Sequence, residues 1–291
     1  MNWGRAKTIL LVAFFLLDVV LGGLYINLRQ VPPGRTAPGG PEPELVAQLA
    51  ERNVALATEV PRETPSLALL RVGIEKLNPY PLALTFFGTL DGVEVTRGAD
   101  PLLVLAFSRG EEELRFFSSG VTVYTRHGLE QAGGEQTAAQ AEEKARAFLA
   151  AHGGADGLVL TRVVPYRRDG TYLVEFGQSY GRFPLVGASG AVLVVTPAGV
   201  QNYWRRYLTV FGESGRPRKV VSAAEALLAL AFERPYAEAA PLTVREIVLG
   251  YYSQIYNADE WEAAPVWRIW TGGDTYFYVN AYTGELENLS G

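Results

Sequence analysis

The chain has no cysteine, one methionine and only two histidines among its 291 residues. Without a thiol it can form no disulfide, carry no lipid on a cysteine and supply no cysteine nucleophile. Two histidines without a thiol are also too few for a clustered His/Cys metal site. These absences predict a protein that uses no cofactor and no metal centre.

An excess of positive charge is absent as well, since 26 lysines and arginines stand against 31 aspartates and glutamates, a net charge of −5. A nucleic-acid-binding protein needs a basic face to neutralise phosphates, so this balance argues against a nucleic-acid partner. With 48% hydrophobic and 20% charged residues, the composition is that of an ordinary globular protein.

Catalytic motifs are also missing, because the sequence has neither a glycine-rich phosphate loop nor a nucleophile elbow. His127 lies in a predicted turn, and His152 ends a predicted helix, where a positive charge suits the helix dipole. The acidic residues beside glycine or in a predicted solvated hairpin are Asp91, Asp169, Asp274 and Glu111–Glu113. The sequence leaves open whether two carboxylates lie at the separation that a hydrolase needs. We predict that the protein is not an enzyme and has no catalytic, cofactor-binding or metal-binding residue.

A long apolar run follows a short basic head at the N-terminus. The run from Thr8 to Leu28 has 21 residues, which at about 1.5 Å each matches the thickness of a bilayer core. We predict a transmembrane helix over 8–28, with residues 1–7 left in the cytoplasm because so short a head is most simply not translocated. Three head residues are predicted to anchor it at the lipid interface: Trp3, Arg5 and Lys7. The alternative is a secretory signal peptide cleaved near Gly22, which would release the chain.

One acidic residue, Asp18, lies near the middle of the predicted span. An aspartate there costs about 2.5–3.5 kcal/mol on insertion scales, so it requires a partner. Steps of three and four along a helix place it on one stripe with Leu11, Phe14, Gly22 and Tyr25, which we predict to dock against another span. The alternative is that Asp18 is protonated or reaches a headgroup, and that the span is only an anchor.

A proline- and glycine-rich linker over 29–43 follows the span, and such a composition keeps a chain extended. An α+β lobe over 44–133 is predicted next, with a helix over 44–53 and strands bounded by turn residues. The predicted strands are Leu67–Val72, Leu82–Phe87, Val93–Thr96, Leu102–Phe107, Glu113–Phe117 and Val121–Thr125, with hairpin turns at Asp91-Gly92 and Arg109-Gly110.

The second lobe, over 134–291, is predicted to use one unit twice, a helix followed by antiparallel strands. Thr137–Gln140 and Ser222–Glu225 have the sequence of capping boxes and open the two helices, which end near His152 and Phe232. The strands predicted after them are 158–164, 172–176, 191–196 and 202–209, then 244–255, 266–270 and 275–282. The fold class is therefore predicted to be α+β, a single transmembrane helix followed by extracytoplasmic lobes with helices on antiparallel sheets.

Aromatic residues crowd the C-terminal strands, at Tyr251, Tyr252, Tyr256, Trp261, Trp267, Trp270, Tyr276, Tyr278 and Tyr282. Alternation along a strand points half of them into the core. The outward half is predicted to form a surface for a protein partner, because Tyr and Trp are favoured in interfaces. Stacking against carbohydrate is the alternative use of such a surface.

Several segments resemble the YycI (WalI) family and its relative YycH. The head Asn2-Trp3-Gly4-Arg5-Ala6-Lys7-Thr8-Ile9, running into a span with Leu17-Asp18 at its middle, resembles the N-terminus of YycI proteins. Leu49–Asn53 and Phe116–Tyr124 are similar to segments of YycI and YycH. The ending from Trp267 through Leu286 resembles the close of a PepSY-type module.

This resemblance implies a single-pass cell-membrane protein of Gram-positive bacteria, with an extracytoplasmic C-terminal domain. It implies binding to the WalK (YycG) sensor histidine kinase of an essential cell-wall two-component system, and regulation of that kinase together with a YycH-like protein. The alternative function is an anchored or secreted PepSY-like module that binds cell wall or inhibits a protease.

Overall fold

The computed structural model describes residues 43–98, 102–129, 134–154, 157–167, 169–187, 189–233, 240–256, 258–273 and 275–287. The predicted head and span lie outside the described residues, and so do the interface residues Trp3, Arg5 and Lys7. The same holds for the predicted docking stripe of Leu11, Phe14, Asp18, Gly22 and Tyr25. Among the residues that are described, no helix is both long enough and apolar enough to span a bilayer.

Four helices are formed by the described residues: α1 (Pro43–Glu51), α2 (Pro79–Phe87), α3 (Ala138–Ala151) and α4 (Ala223–Glu233). Both predicted capping boxes are confirmed. Gln140 N–H donates to the Thr137 hydroxyl, and Thr137 N–H donates back to Gln140 Oε1 at 2.9 Å. Ser222 N–H donates to Glu225 Oε2 at 2.6 Å in the same way. These reciprocal bonds satisfy amides that a helix start leaves without a partner.

The predicted strand Leu82–Phe87 is wrong, because these residues form the second half of α2. Asn78 Oδ1 accepts from Tyr80 N–H at 3.2 Å, and Pro79 occupies the first helical turn, where its missing N–H is not needed. Gly88 ends the helix with a φ of 70°, a conformation that favours glycine. An apolar run this short does not distinguish strand from helix, and the flanking cap residues decide the outcome.

The predicted hairpin turn at Asp91-Gly92 is also wrong, because these residues join α2 to the next strand. Arg109-Gly110 does form part of a hairpin turn, because Arg109 pairs with Glu112 across it.

The described residues also form sixteen strands: β1 (Val54–Leu56), β2 (Ser66–Ile74), β3 (Glu94–Arg97), β4 (Leu103–Arg109), β5 (Glu112–Phe117), β6 (Thr122–Arg126), β7 (Leu158–Pro165), β8 (Tyr172–Tyr180), β9 (Phe183–Val186), β10 (Gly190–Thr196), β11 (Gly199–Arg206), β12 (Leu208–Lys219), β13 (Leu242–Val244), β14 (Glu246–Tyr252), β15 (Trp261–Gly272) and β16 (Thr275–Asn280). The predicted α+β class is confirmed for this part of the chain.

Eight antiparallel strands form the first half of the main sheet, in the order β7-β8-β10-β11-β6-β5-β4-β3. Helices α2 and α3 cover one face of it. Their apolar side chains meet those of the strands in one core, which includes Phe86, Phe107, Leu149, Leu193 and Tyr203. Burying this face supplies the main favourable contribution to folding of this half.

The second half has the order β12-β2-β15-β14-β9, with β16 paired to β15. Helices α1 and α4 lie against its core, which includes Leu49, Leu70, Leu227, Trp267 and Ile269. Strand β9 joins the two halves, because it pairs antiparallel with β8 on one side and parallel with β14 on the other. A separate two-stranded sheet is made by β1 and β13 in parallel.

Strand pairing crosses the predicted border between the two lobes. Strand β2, from the predicted first lobe, pairs with β12 and β15 of the predicted second lobe. Strands β3 to β6 join the first half of the sheet through the pairing of β6 with β11. Residues 44–133 are therefore shared between both halves of the sheet, and their division from 134–291 as a folding unit stays a prediction.

Candidate interaction surface

The aromatic residues of β14, β15 and β16 divide between the two faces of the sheet. Alternation along the strands places Tyr251 and Trp267 on the face toward α4, where they are 2% and 1% exposed. Tyr252, Trp270, Tyr276 and Tyr278 lie on the opposite face, where Arg268 and Glu246 also lie. The prediction that the inward half is core is confirmed for Tyr251 and Trp267.

Trp267 is fixed on the inner face by packing and by a hydrogen bond. Its indole Nε1 donates to the Val221 carbonyl oxygen at 2.9 Å, just before α4 begins. Two other aromatics of the C-terminal region also support this core. The Tyr282 hydroxyl donates to the Leu67 carbonyl oxygen at 2.7 Å, and Trp261 packs against the same cluster. These contacts make a buried aromatic unit rather than a binding surface.

We call the outward set, Tyr252, Trp270, Tyr276 and Tyr278, the aromatic face. The rings of Tyr252 and Tyr278 stack with centroids 4.7 Å apart. Arg268 lies over the Tyr276 ring at 5.5 Å, and its guanidinium donates to Glu246 Oε2 at 2.9 Å. Burial raises the pKa of both Tyr252 and Tyr278 above the ordinary value of a tyrosine.

The aromatic face is held rigid by its strands. Trp270 and Tyr276 are Cα partners on β15 and β16, and Trp270 Nε1 donates to the Gly273 carbonyl oxygen at 3.0 Å in the turn between them. Three of the four aromatic residues are half-buried, and Tyr278 is 7% exposed. Rigid, half-buried aromatic side chains lose little conformational entropy on binding, which suits them to a protein interface.

The two histidines have separate structural contacts. His127 is exposed after β6, and its backbone N–H donates to the Glu111 carbonyl oxygen at 2.8 Å. His152 follows α3 and lies against the rings of Phe86 and Phe148 at 4.3 and 4.1 Å. Across the described ranges, no three His, Asp or Glu side chains come together as metal ligands would.

The predicted solvated hairpin and turn aspartates also have local partners where they are described. Glu112 Oε1 accepts from the Tyr124 hydroxyl at 2.7 Å, and Glu113 pairs with Arg115 at 3.0 Å. The Thr171 side chain lowers the pKa of Asp169, and Thr171 N–H, which donates to Asp169 Oδ1 at 3.1 Å, lowers it further. Asp91 is exposed in the turn after α2, and Asp274 lies outside the described residues.

Sequence reasoning missed a buried ion pair between Arg205 and Glu75. The Arg205 side chain on β11 is 2% exposed, and its guanidinium donates to Glu75 Oε2 at the end of β2. The ring of Tyr207 lies 4.0 Å from the Arg205 guanidinium. The only signal in the sequence is that Arg205 is in phase with Tyr203, two residues earlier, on the buried side of the strand.

The raised pKa of Tyr251 predicts that the protein loses stability at alkaline pH. Burial raises its pKa to about 12, above the value of about 10 expected in the unfolded chain. Between these values the folded state holds a proton that the unfolded state has lost, so stability falls as pH rises above 10. By pH 11 this contribution amounts to about 1.4 kcal/mol. We expect Tyr251→Phe to lose that much less stability than wild type between pH 8 and pH 11 in urea unfolding.

The matched control is Tyr256→Phe, because Tyr256 is 49% exposed. This variant should lose as much stability as wild type over the same interval. Equal losses for wild type and Tyr251→Phe would contradict the prediction.

The three strands that carry the aromatic face lie close together in the sequence, between positions 246 and 280. Residues 165–282 match the YycI protein family. The resemblance to YycI predicted from the sequence is confirmed over this segment, which contains β8 to β16 together with α4. The whole aromatic face therefore lies within the YycI-like segment.

Solved structures show what the chain resembles in fold. A crystal structure of an uncharacterized protein from Eubacterium rectale ATCC 33656 is similar with a TM-score of 0.61 at 11% identity, covering 86% of this chain and 99% of that one. The C-terminal domain of YpeB from Bacillus megaterium has a TM-score of 0.40 at 14% identity, covering 74% of this chain and 97% of that domain. No protein with a curated description matches the chain.

Proposed function

We propose that the protein is a single-pass membrane regulator whose extracytoplasmic domain binds a WalK (YycG)-type sensor histidine kinase, together with a YycH-like protein. The match of residues 165–282 to the YycI family is the observation that carries this proposal. In the proposed topology, residues 1–7 are cytoplasmic, 8–28 span the membrane and 29–43 link the span to the domain.

The aromatic face is the contact surface that we propose within the domain. Tyr, Trp and Arg are enriched among the residues that dominate binding energy in protein interfaces. Here they are combined on one half-buried sheet face, with Arg268 next to Tyr276 and paired to Glu246. The stripe through Asp18 is the second proposed contact, between the span of this protein and a span of the kinase.

Regulation by binding requires only that the contacts differ between two states of the kinase. A ligand shifts a two-state equilibrium by its difference in affinity for the two states, and a coupling of about 1–3 kcal/mol suffices. This mechanism uses no chemical step, in keeping with the separate structural contacts of His127 and His152.

Co-purification of the full chain with the native kinase from solubilised membranes tests the proposal. We expect Trp270→Ala to weaken capture at least tenfold, because truncating a central interface tryptophan typically costs about 2 kcal/mol or more. Tyr166→Ala is the matched control, because Tyr166 is a 54% exposed aromatic that does not belong to the aromatic face. Equal capture of wild type and Trp270→Ala would rule out the aromatic face as the contact.

The span is tested in the same preparations. Asp18→Leu should insert well but weaken capture by about 0.6–2 kcal/mol, whereas Val19→Leu, off the stripe, should change little. Recovery of a soluble chain that begins near Gly23 would contradict the membrane anchor. Capture of purified wall polysaccharide in place of the kinase would favour the wall-binding alternative.

A further inference from the structure

Helix α2 lies on the surface of the domain and has no charged residue. The run from Leu77 to Leu90 is uncharged throughout, although 20% of the whole chain is charged. The exposed sides of the other three helices carry acidic residues, such as Glu44 on α1, Glu143 on α3 and Glu225 on α4. A helix that is apolar on all sides is normally covered on all sides, by protein or by lipid. The solvent-facing side of α2 is therefore a candidate contact surface.

The exposed side of α2 continues onto the neighbouring strand. Tyr80 is 50% exposed and Leu84, one turn later, is 47% exposed, and Pro81 lies beside them. Val95 on β3 is 46% exposed and is the Cα partner of Phe107 on β4. The Tyr80 ring packs edge-on against the same Phe107, with centroids 5.3 Å apart. We call Tyr80, Pro81, Leu84 and Val95 the apolar patch.

The apolar patch offers few polar groups to a partner. Its one side-chain hydroxyl is that of Tyr80, and the neighbouring Thr85 hydroxyl already donates to the Leu82 carbonyl oxygen at 2.7 Å. At the end of α2, Arg109 donates to the Phe87 carbonyl oxygen at 2.6 Å. A specific protein interface carries about one hydrogen bond per 100–200 Å². Apolar side chains accompanied by a tyrosine hydroxyl are more typical of a surface that meets the edge of a bilayer.

The proposed linker brings such a bilayer within reach. The linker over 29–43 ends at Pro43, the first residue of α1, and a 15-residue chain of this composition reaches at most about 45 Å. This length is comparable to the diameter of a globular domain of about 250 residues, so every face of the domain can reach lipid. A tether also keeps the effective concentration high, so a contact too weak to hold a free protein is sufficient.

We propose that the apolar patch docks reversibly on the lipid bilayer, with Leu84 and Val95 against the acyl chains and the Tyr80 hydroxyl at the headgroups. This inference rests on the membrane anchor proposed above and adds a second contact with the same membrane. Exposed charges of both signs lie nearby, Asp91 after α2 and Arg97 at the end of β3. The contact therefore depends on apolar burial, needs no anionic lipid and persists at high salt.

Fluorescence quenching in nanodiscs tests this contact. Because the chain has no cysteine, Thr85→Cys gives a single attachment site for a fluorophore beside the apolar patch. Val159→Cys gives a matched site at a 55% exposed residue on β7, at the opposite edge of the first half of the sheet. The full chain is inserted into phosphatidylcholine nanodiscs in which some acyl chains carry a nitroxide. We expect quenching at position 85, at low and at high salt, and none at position 159.

Each other outcome contradicts the proposal. Equal fluorescence at the two positions, or quenching that requires anionic lipid and disappears at high salt, would overturn docking by apolar burial. Flotation of the same samples separates this inference from the anchor. Protein that leaves the nanodiscs contradicts the anchor and the contact together, whereas protein that stays anchored with an unquenched probe contradicts the contact alone.

Two aspartate variants assign the contact to the apolar patch. In the Thr85→Cys chain, Leu84→Asp should lower the ratio of docked to free domain by at least about fivefold, because about half of a leucine side chain no longer enters lipid. Val159→Asp, which places the same charge at an exposed residue of β7, should leave the quenching unchanged. Unchanged quenching in Leu84→Asp would place the contact elsewhere and contradict the apolar patch.

Discussion

Trp267→Ala is expected to lower the free energy of unfolding by about 4 kcal/mol, in the range typical of large aromatic residues truncated in a core. Trp267 is 1% exposed, and the substitution leaves a cavity beneath α4. It also leaves the Val221 carbonyl oxygen without the indole donor that lies 2.9 Å away in wild type. Urea unfolding of the full chain, followed by circular dichroism, measures the loss.

Trp270→Ala is the matched control, because Trp270 is on the same strand but on the opposite, half-buried face. We expect it to destabilise the protein by less than half as much. Trp267→Ala should therefore mainly lower the stability of the protein, whereas Trp270→Ala should mainly weaken capture of the kinase. Equal destabilisation by both would contradict the assignment of the two faces.

Glu75→Gln is expected to destabilise the protein by about 2 kcal/mol, because it leaves the Arg205 guanidinium buried without its counter-charge. The expected loss is below the about 3–5 kcal/mol of a fully buried pair, since the Glu75 side chain is 35% exposed and water reaches it. The measurement is again the free energy of unfolding of the full chain at neutral pH.

A double variant distinguishes the loss of the pair from the loss of shape. Glu75→Gln combined with Arg205→Met removes both charges and should recover most of the lost stability, because a buried ion pair contributes little net stability over an apolar replacement. Asp259→Asn, which breaks the exposed pair with Lys76, should produce no measurable change. Failure of the double variant to recover stability would show that the pair is not the cause.

The regular parts of the fold could be predicted because they depend on local pattern. Alternating apolar residues predicted strands close to β8, β10 and β16, and the Thr137–Gln140 motif predicted the start of α3. Strand β9 was missed because four residues carry too little periodicity. The apolar run Leu82–Phe87 predicts a strand, but Asn78 and Gly88 cap these residues as the second half of helix α2.

The candidate sites were predictable to different degrees. Crowding of Tyr and Trp in 251–282 indicated an aromatic surface, and alternation predicted that half of these residues are core without saying which half. The ion pair of Glu75 and Arg205 could not be predicted, since it depends on a contact between residues far apart in sequence. Glu75 and Arg205 are 130 positions apart, and no local pattern relates them.

The pairing of β2 with β12 and β15 also sets an order in which the chain can fold. All eight strands of the first half of the sheet, together with α2 and α3, lie between residues 79 and 206. That half can close once residue 206 has left the ribosome. Strand β2 can then pair with β12, but its other edge must wait for β15, whose residue Ala263 pairs with Leu70. Contacts between such distant positions slow folding, so an early strand stays exposed while the rest of the chain emerges. A chain shortened before β15 would keep a closed first half and an unpaired, aggregation-prone edge on β2.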